Sequence, residues 1–495
     1  RFQQRHHGIP VRGAEVIVHL DQNNAVVGIT ESLEPQLNVD PRVAVDEADA
    51  ITLALDSLAR STVSDPPTAE LQVLRRGPVD HLVWRVRIPQ MDGTADADIP
   101  VRWVSAHTGE VVLAGTDLRH AAGPVTGTGV SNYSGTVDID VYDDGAGTVI
   151  MEDTVRGIAT YSAGNTTSSA SIVTDSNTHF SASSQAEAVD GHYAAHQFFV
   201  FLDHTFGRDG LDGSGGPTYA SSLVGSGSVF TVIVDYGYLQ AQAAYATGII
   251  YLGDGDGVNY GPMTSTDIVG HELGHGVNED NAGFLYMDES GALDEHFADV
   301  YGAALERYLE GSAADHWNLG EDVYTPGVPG DAIRSMDDPT SDGVSVDHYD
   351  DRYTGTLDNG GVHVNSGIGN LAFVLVADGG NHPTDGGTAI TGVSFDTALA
   401  IWHRAAEHYL TSSATYADAR TATRTAARDL YGDGSAELEA VDGAWDLVGV
   451  AGASGCHTSL PGSYNYCTPS CPCDDGDGHC SDDTECDGGA TCSAD

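Results

Sequence analysis

The segment TSTDIVGHELGHGVNEDNAGFLYMDESGALDEHFADV (264–300) decides how the rest of this chain is read. Its centre is HELGH (271–275). On a helix, His271 and His275 stand four residues apart and project from one face, so both imidazoles reach a single metal ion. Glu272 lies beside them, placed to hold a water rather than the metal. A catalytic zinc needs a third protein ligand and an open fourth position. Twenty residues beyond His275, Glu295 falls near the start of the next strongly helical stretch, ALDEHFADVYGAALERYLE (292–310). Asp299, four residues further, shares its face. A ligating histidine normally gives its second ring N–H to a carboxylate, and Asp299 suits that role.

Downstream of this segment the pattern stays helical. SFDTALAIWHRAAEHYL (394–410) and ATYADARTATRTAARDLY (414–431) carry apolar residues at the 3.6-residue period, as does 264–277 itself. Upstream, residues 121 to 260 are rich in Gly, Ser, Thr and Asp, with strand-like runs TVDIDVYD (136–143) and VFTVIVDYGY (229–238). One predicted helix, AEAVDGHYAAHQFFVFLDHTF (186–206), interrupts them. The first 120 residues form a small α+β unit with no cluster of candidate catalytic residues. AEVIVHL (14–20) and AVVGI (25–29) flank DQNN as a hairpin, and HLVWRVRI (81–88) and VRWVSAHTGEVVLA (101–114) read as further strands, the last turning at Thr108–Gly109. VDEADAITLALDSLAR (45–60) places Ala48, Ile51, Leu55 and Leu58 on one helical face.

Charge narrows the partners. There are 73 acidic and 20 basic residues, all of the latter Arg, for a formal net charge of -53. Such a surface repels nucleic acid and anionic lipid, so neither is expected as a partner. A solvated acidic shell, suited to a salty medium that screens its self-repulsion, is the simplest account. No run of about 18 apolar residues appears, so no membrane span is expected. The chain begins with Arg1, which points to a longer precursor with any signal peptide upstream. All seven Cys (456, 467, 471, 473, 480, 486 and 492) fall at the C-terminal end. The body is therefore expected to fold without disulfides and the tail to be stapled by them, in an extracellular compartment. The odd count points to a partner beyond Asp495 or to one free thiol.

HELGH followed by GFLYMDESGALDEHFADV (283–300) resembles the metal-binding core of the thermolysin family of metallopeptidases. GDGDG (253–257) precedes it, and GEDVYTPGVPGDAIRSMDDP (320–339) and RYTGTLDNGGVHVNSG (352–367) follow, in the family's order. The resemblance covers about 120 to 452. It implies an α+β fold: a two-lobe catalytic domain with a β-rich N-terminal lobe, a mainly helical C-terminal lobe and a zinc cleft between them. The expected segments are an FTP/PepSY-like α+β propeptide at 1–122, the two lobes at 123–262 and 263–452, and a Cys-rich tail at 453–495. The N-terminal unit is similar to the family's pro-region, a folding assistant and inhibitor removed by self-cleavage, here between Arg119 and Thr128.

Residue by residue, the resemblance implies zinc ligands His271, His275 and Glu295, with Asp299 behind them and Glu272 as general base. Tyr286 and His363 match the donors to the tetrahedral oxyanion, and Asp358 the carboxylate that orients His363. Arg334 matches an arginine that holds a substrate carbonyl. Two departures stand out. Gln242–Ala243 occupies the place of an Asn–Ala pair that contacts substrate backbone, and Asp294 replaces the usual Asn beside Glu295.

Calcium, which takes six to eight hard oxygens, is implied at Asp267, Glu306 and Glu321. His316 and Asn318 stand where further acidic ligands are usual, which implies one ion there rather than two, with Asn318 kept in the set. A second site is implied at Tyr324, Thr325, Val328 and Asp331, partly through backbone oxygens. Ile268, Leu319 and Ile333 suit an apolar pocket for the bulky residue that follows the cut bond. The expected protein is a secreted, monomeric endopeptidase acting on proteins and peptides. A catalytically silent binding homologue and a surface protein working through its tail are the other classes. Intact Glu272 and His363 argue against the silent homologue, because a binding protein needs no general base. A chain cut short before the tail would test the other class.

Overall fold

The computed structural model describes residues 2–451, apart from 21–25, 59–62, 77–78, 91–97, 118–121, 217–218, 222–224, 228 and 312–315. The Cys-rich tail, and with it every expectation about disulfides, lies outside the described residues. Two compact units are present, one of Arg1–Gly123 with Asp143–Thr148, the other of Pro124–Tyr142 and the chain from Val149 onward.

The first unit holds a seven-stranded sheet. Ile9–Leu20 pairs antiparallel with Val26–Glu31, as the hairpin reading requires, although its turn lies outside the described residues. Phe2–His6 also pairs antiparallel with Ile9–Leu20, and the other four strands, Thr68–Arg76, Val79–Arg87, Pro100–Ser105 and Val111–Thr116, run as an antiparallel meander. Helix α1 (Glu47–Asp56) is capped by Asp46, whose side chain accepts from the Asp49 N–H. Ala50 and Ala54, rather than Ala48, lead its buried face against Val86, Ile88 and Val104, joined by Ile51, Leu55 and Leu58. Ala48 points to solvent because the sheet beneath admits only the row one step round the helix.

The second unit is the β-rich and helical body that the sequence predicts. A six-stranded sheet sets Ile158–Thr166, Phe230–Tyr236 and Ile249–Leu252 in parallel, with Ala243–Ala246 antiparallel at its edge. Helix α2 (Ala186–Phe206) packs against this sheet and also against α3 (Thr266–Asp280). Then follow α4 (Asp288–Glu310), α5 (Asp358–Asp378), α6 (Phe395–His408), α7 (Tyr416–Tyr431) and α8 (Ala436–Leu447). One continuous core runs through both lobes, from Val232 and Phe198 to Leu273, Phe297, Trp402 and Trp445.

Glycines bring the two motif helices together. A Cβ on Gly274 would lie 2.9 Å from Ala298 Cα, on Gly270 3.0 Å from Gly302 Cα, and on Gly302 2.6 Å from the Asp267 carbonyl oxygen. Only bare backbones approach so closely, and the contact sets Glu295 of α4 beside the histidines of α3.

Helix α5 bears on the expectation that no segment spans a membrane. By length and composition it is apolar enough to cross a membrane, but 89% of its most apolar window is buried inside the protein. It is a core helix that every neighbour covers, which is why it lacks a polar face.

Candidate active site

Helix α3 presents His271 and His275 on one face, with their Nε2 atoms 3.2 Å apart. Glu295, from the first turns of α4, brings Oε2 within 3.5 Å of His271 Nε2 and Oε1 within 3.6 Å of His275 Nε2. Each ring is turned by a carboxylate behind it. His271 Nδ1–H donates to Asp299 Oδ1 at 2.8 Å, and His275 Nδ1–H donates to Asp294 Oδ1 at 3.0 Å. Both Nε2 lone pairs therefore face each other across a shared point. Two acceptors and a carboxylate cannot be satisfied there by each other, and Glu295 Oε2 is buried with no hydrogen-bond partner.

A metal ion fits that point. Bonds of about 2.0–2.2 Å at tetrahedral angles put ligand atoms roughly 3.3–3.6 Å apart, close to the three spacings just given. Electrostatics agree. Burial opposes protonation of His275, yet Asp294, Glu295 and Glu272 together push it up to about 10. Burial would raise Glu295, but His275, His271, His363 and Arg334 hold it below its ordinary value. The pocket is built to carry positive charge among carboxylates.

Around this centre a cleft of about 620 Å³ is lined by the edge strand with its flanking Gln242 and Thr247, by Glu272, Tyr286 and His363, and by the three ligand candidates. Glu272 is buried, and burial raises its carboxyl above the ordinary glutamate value. Tyr286 donates its hydroxyl to Glu295 Oε1 and lies 3.4 Å from His363 Nε2. His363 stands at the start of α5, where Asp358, Asn359, Gly360 and Gly361 all adopt positive φ. That break lets Asp358 fold back, taking the His363 backbone N–H on Oδ2 at 3.0 Å and its Nδ1–H on Oδ1 at 2.7 Å. Two glycines are needed there, because a Cβ on Gly361 would meet the Tyr353 ring and one on Gly360 the Asp288 carboxylate.

Arg334 does not line the cleft among the described residues. Its Nη2 and Nε donate to Asp299 Oδ1 and Oδ2, at 2.7 and 2.9 Å, and it rests 3.4 Å from His271 Nδ1. Gln242 and Ala243 do line it, with the Gln242 carbonyl accepting from the Gly253 N–H. Of the three pocket candidates, Ile268 and Ile333 share an apolar cluster with Ala243, whereas Leu319 is packed into the main core. None of the three lines the cleft among the described residues.

The calcium candidates also gather. Glu306 Oε2 and Glu321 Oε2 are buried without hydrogen-bond partners. Burial and the neighbouring Asp267 raise both carboxyls, the mark of negative charge that lacks a counter-ion. Asn318 lies in the short strand Asn318–Leu319, whose pairing with Arg334–Ser335 ties this region to Asp299. At the second candidate site Thr325 donates to Asp331 Oδ2, leaving Asp331 Oδ1 buried and unpartnered. The Tyr324 N–H bonds to the Gly320 carbonyl and the Val328 N–H to the Thr325 carbonyl, which makes the loop tight. Asp140, Asp153 and His196 form another potential ligand group. There Arg156 already reaches both carboxylates, at 3.5 and 3.3 Å, and supplies the positive charge itself.

Two polar residues escaped the sequence reading. Asn278, three residues after His275, donates to Asp294 Oδ1 at 2.8 Å, and its helical spacing was the available signal. Asn370, seven residues after His363, donates to Asp299 Oδ2 at 2.8 Å.

Two lobes holding an HELGH helix against a third carboxylate ligand define a metallopeptidase. The chain belongs to the thermolysin metallopeptidase family. Residues 126–279 match the family's catalytic domain, 282–450 its α-helical domain, and 1–33 the fungalysin/thermolysin propeptide motif. It is 35% identical to thermostable neutral protease NprT of Geobacillus stearothermophilus, over 91% of this chain and 83% of that one. It is 34% identical to thermolysin of Alicyclobacillus acidocaldarius subsp. acidocaldarius, over the same 91% and 83%. Among solved structures, the precursor of protealysin, a metalloproteinase from Serratia proteamaculans, matches at 28% identity and a TM-score of 0.49, covering 59% of this chain and 87% of that one. The chain is thus a metalloendopeptidase that uses zinc and calcium and is made with a propeptide.

Proposed function

We propose that His271, His275 and Glu295 hold the catalytic zinc and that Glu272 is the general base of peptide-bond hydrolysis. The observation that carries this reading is the mutual spacing of three buried ligand atoms, 3.2, 3.5 and 3.6 Å. Zinc bound there lowers the pKa of a water ligand towards neutrality and polarises the scissile carbonyl.

The chain's own residues do the rest. Glu272 takes a proton from the attacking water and delivers it to the leaving amine; its burial raises its basicity. The Tyr286 hydroxyl and the His363 ring donate to the oxyanion, with Asp358 holding His363 by Nδ1. Asp299 and Asp294 fix the tautomers of the zinc-binding histidines. Arg334 steadies Asp299 from outside the cleft lining, and its role towards a substrate carbonyl rests on the family resemblance. An extended substrate lies along the edge strand, where Gln242 and Ala243 meet its backbone. Ile268 and Ile333 cluster with Ala243, which lines the cleft, and this apolar backing favours a bulky apolar residue just after the cut bond.

Asp267, Glu306, Glu321 and Asn318 bind one calcium, and Tyr324, Thr325, Val328 and Asp331 bind another. Residues 1–122 act as an intramolecular inhibitor removed by self-cleavage between Arg119 and Thr128. The catalytic lobes span 123–262 and 263–452, and 453–495 is a separate Cys-rich tail. The protein acts outside the cell as a monomer, in keeping with cysteines confined to that tail.

The test is hydrolysis of casein and of a quenched peptide with Leu or Phe after the cut, with and without 1,10-phenanthroline, beside a Glu272→Ala control. Activity lost to the chelator, restored by zinc and absent in a zinc-loaded control supports the assignment. A folded, processed, zinc-loaded wild type with no activity overturns it.

A further inference from the structure

Behind the zinc-binding histidines runs a line of hydrogen bonds whose direction is set at its far end. Trp402 of α6 is buried, and its indole Nε1–H, which can only donate, points at His296 Nε2 at 2.7 Å. His296 Nε2 must therefore accept, which leaves the ring proton on Nδ1. From there it meets Asn370 Oδ1 at 2.8 Å. With its oxygen engaged, Asn370 turns its amide N–H toward Asp299 Oδ2, also at 2.8 Å. Asp299 Oδ1 accepts from His271 Nδ1–H at 2.8 Å, leaving the His271 Nε2 lone pair free for metal. His296, Asn370 and Asp299 are all fully or almost fully buried, so no water can substitute for a missing member.

The packing around the ring is specific. A Cβ on Gly369 would fall 2.5 Å from His296 Cγ, so the imidazole fills the space that a side chain on α5 would take. An apolar residue at 296 would fill part of that space as well, but only a ring with an acceptor and a donor passes the direction of the bonds onward.

We infer that His296, fixed by Trp402, is a positioning residue that acts through Asn370 and Asp299 to hold the zinc ligand His271 in its metal-binding tautomer. This rests on the zinc-ligand assignment proposed above. Without the indole donor the His296 ring is free to take its other tautomer. Asn370 then turns over and aims its oxygen at the Asp299 carboxylate, which loses a donor. His271 is then held less firmly.

The experiment is a zinc competition titration on the processed, calcium-loaded protein, with unfolding temperature measured in parallel. Trp402→Phe keeps an aromatic ring and removes the donor. Trp445→Phe is the control: Trp445 stacks on Trp402 with centroids 6.1 Å apart but donates to Thr423 Oγ1. The expected result is a zinc dissociation constant raised about threefold to tenfold in Trp402→Phe and unchanged in Trp445→Phe, below the roughly 10–100-fold typical of groups touching a ligand directly. Equal zinc affinity in Trp402→Phe and wild type, or equal loss in both variants, overturns the inference. A wild type that binds no zinc, or a His271→Ala variant that binds it as tightly as wild type, overturns the ligand assignment itself. Should Trp402→Phe fail to fold, histidine-selective 15N NMR of the wild type decides instead: the Nδ1–H tautomer of His296 supports the inference and the Nε2–H tautomer overturns it.

Discussion

Asp294 Oδ1 accepts from His275 Nδ1 at 3.0 Å, so the second proposed zinc ligand, like the first, has a carboxylate behind it. Asn278 donates to the same oxygen at 2.8 Å and holds it in place. Asp294→Asn keeps an oxygen acceptor there and removes only the charge. A charged partner makes a ligating imidazole more basic, so the variant is expected to bind zinc about tenfold more weakly with its fold intact. Chelator competition measures this; unchanged affinity would show that the charge does not reach the metal.

Gly302→Ala tests the close approach of α3 and α4. The new Cβ would sit 2.6 Å from the Asp267 carbonyl oxygen and 3.3 Å from the His271 backbone nitrogen, and backbone atoms yield little. The expected cost is about 1–3 kcal/mol of stability together with weaker zinc binding, since α4 carries Glu295. Thermal unfolding and zinc content check both. A variant as stable as wild type would mean that the helices can separate freely.

These two cases mark how far the sequence could be read. The grouping of His271, His275 and Glu295 was legible because helical spacing and a metal's needs constrain each other within 25 residues, His271 to Glu295. Helix α2 was legible to its ends, Ala186 to Phe206. Helix α5 was not: its buried positions include Val362, Ile368, Leu371, Phe373 and Leu375, leaving no polar face, and its first turn is broken by positive φ at Asn359, Gly360 and Gly361. Helix α8 carries Leu438, Val441 and Trp445 at helical spacing, a signal partly hidden by its acidic residues. The bonds from Trp402 to His296 and from His296 to Asn370 span 106 and 74 residues, and no local pattern announces such pairs.

Calcium removal should make stability depend on pH. Burial and mutual repulsion raise Glu306 and Glu321 above the ordinary value of 4.5. Above that value the folded protein without calcium holds protons that the unfolded chain has released, so its stability falls as pH rises. In EGTA the unfolding temperature is expected to fall from about pH 5 upward, through the raised values of about 8 for Glu321 and about 10 for Glu306. In excess calcium, which favours the ionised carboxylates, that slope should flatten or reverse. Parallel slopes in both media would place calcium elsewhere.

Salt gives a further check. A formal net charge of -53 must repel itself, and the Debye length falls from about 10 Å at 0.1 M to about 3 Å at 1 M. With calcium saturating, the unfolding temperature is expected to rise as sodium chloride is added over this range. A fall would mean that attractive ion pairs, such as Arg156 with Asp153, outweigh the repulsion.

The most direct test is a diffraction experiment on the purified protein at the zinc absorption edge. The account predicts one strong anomalous peak about 2.0–2.2 Å from His271 Nε2, His275 Nε2 and a Glu295 carboxylate oxygen. A peak at Asp140, Asp153 and His196 with none in the cleft would contradict it.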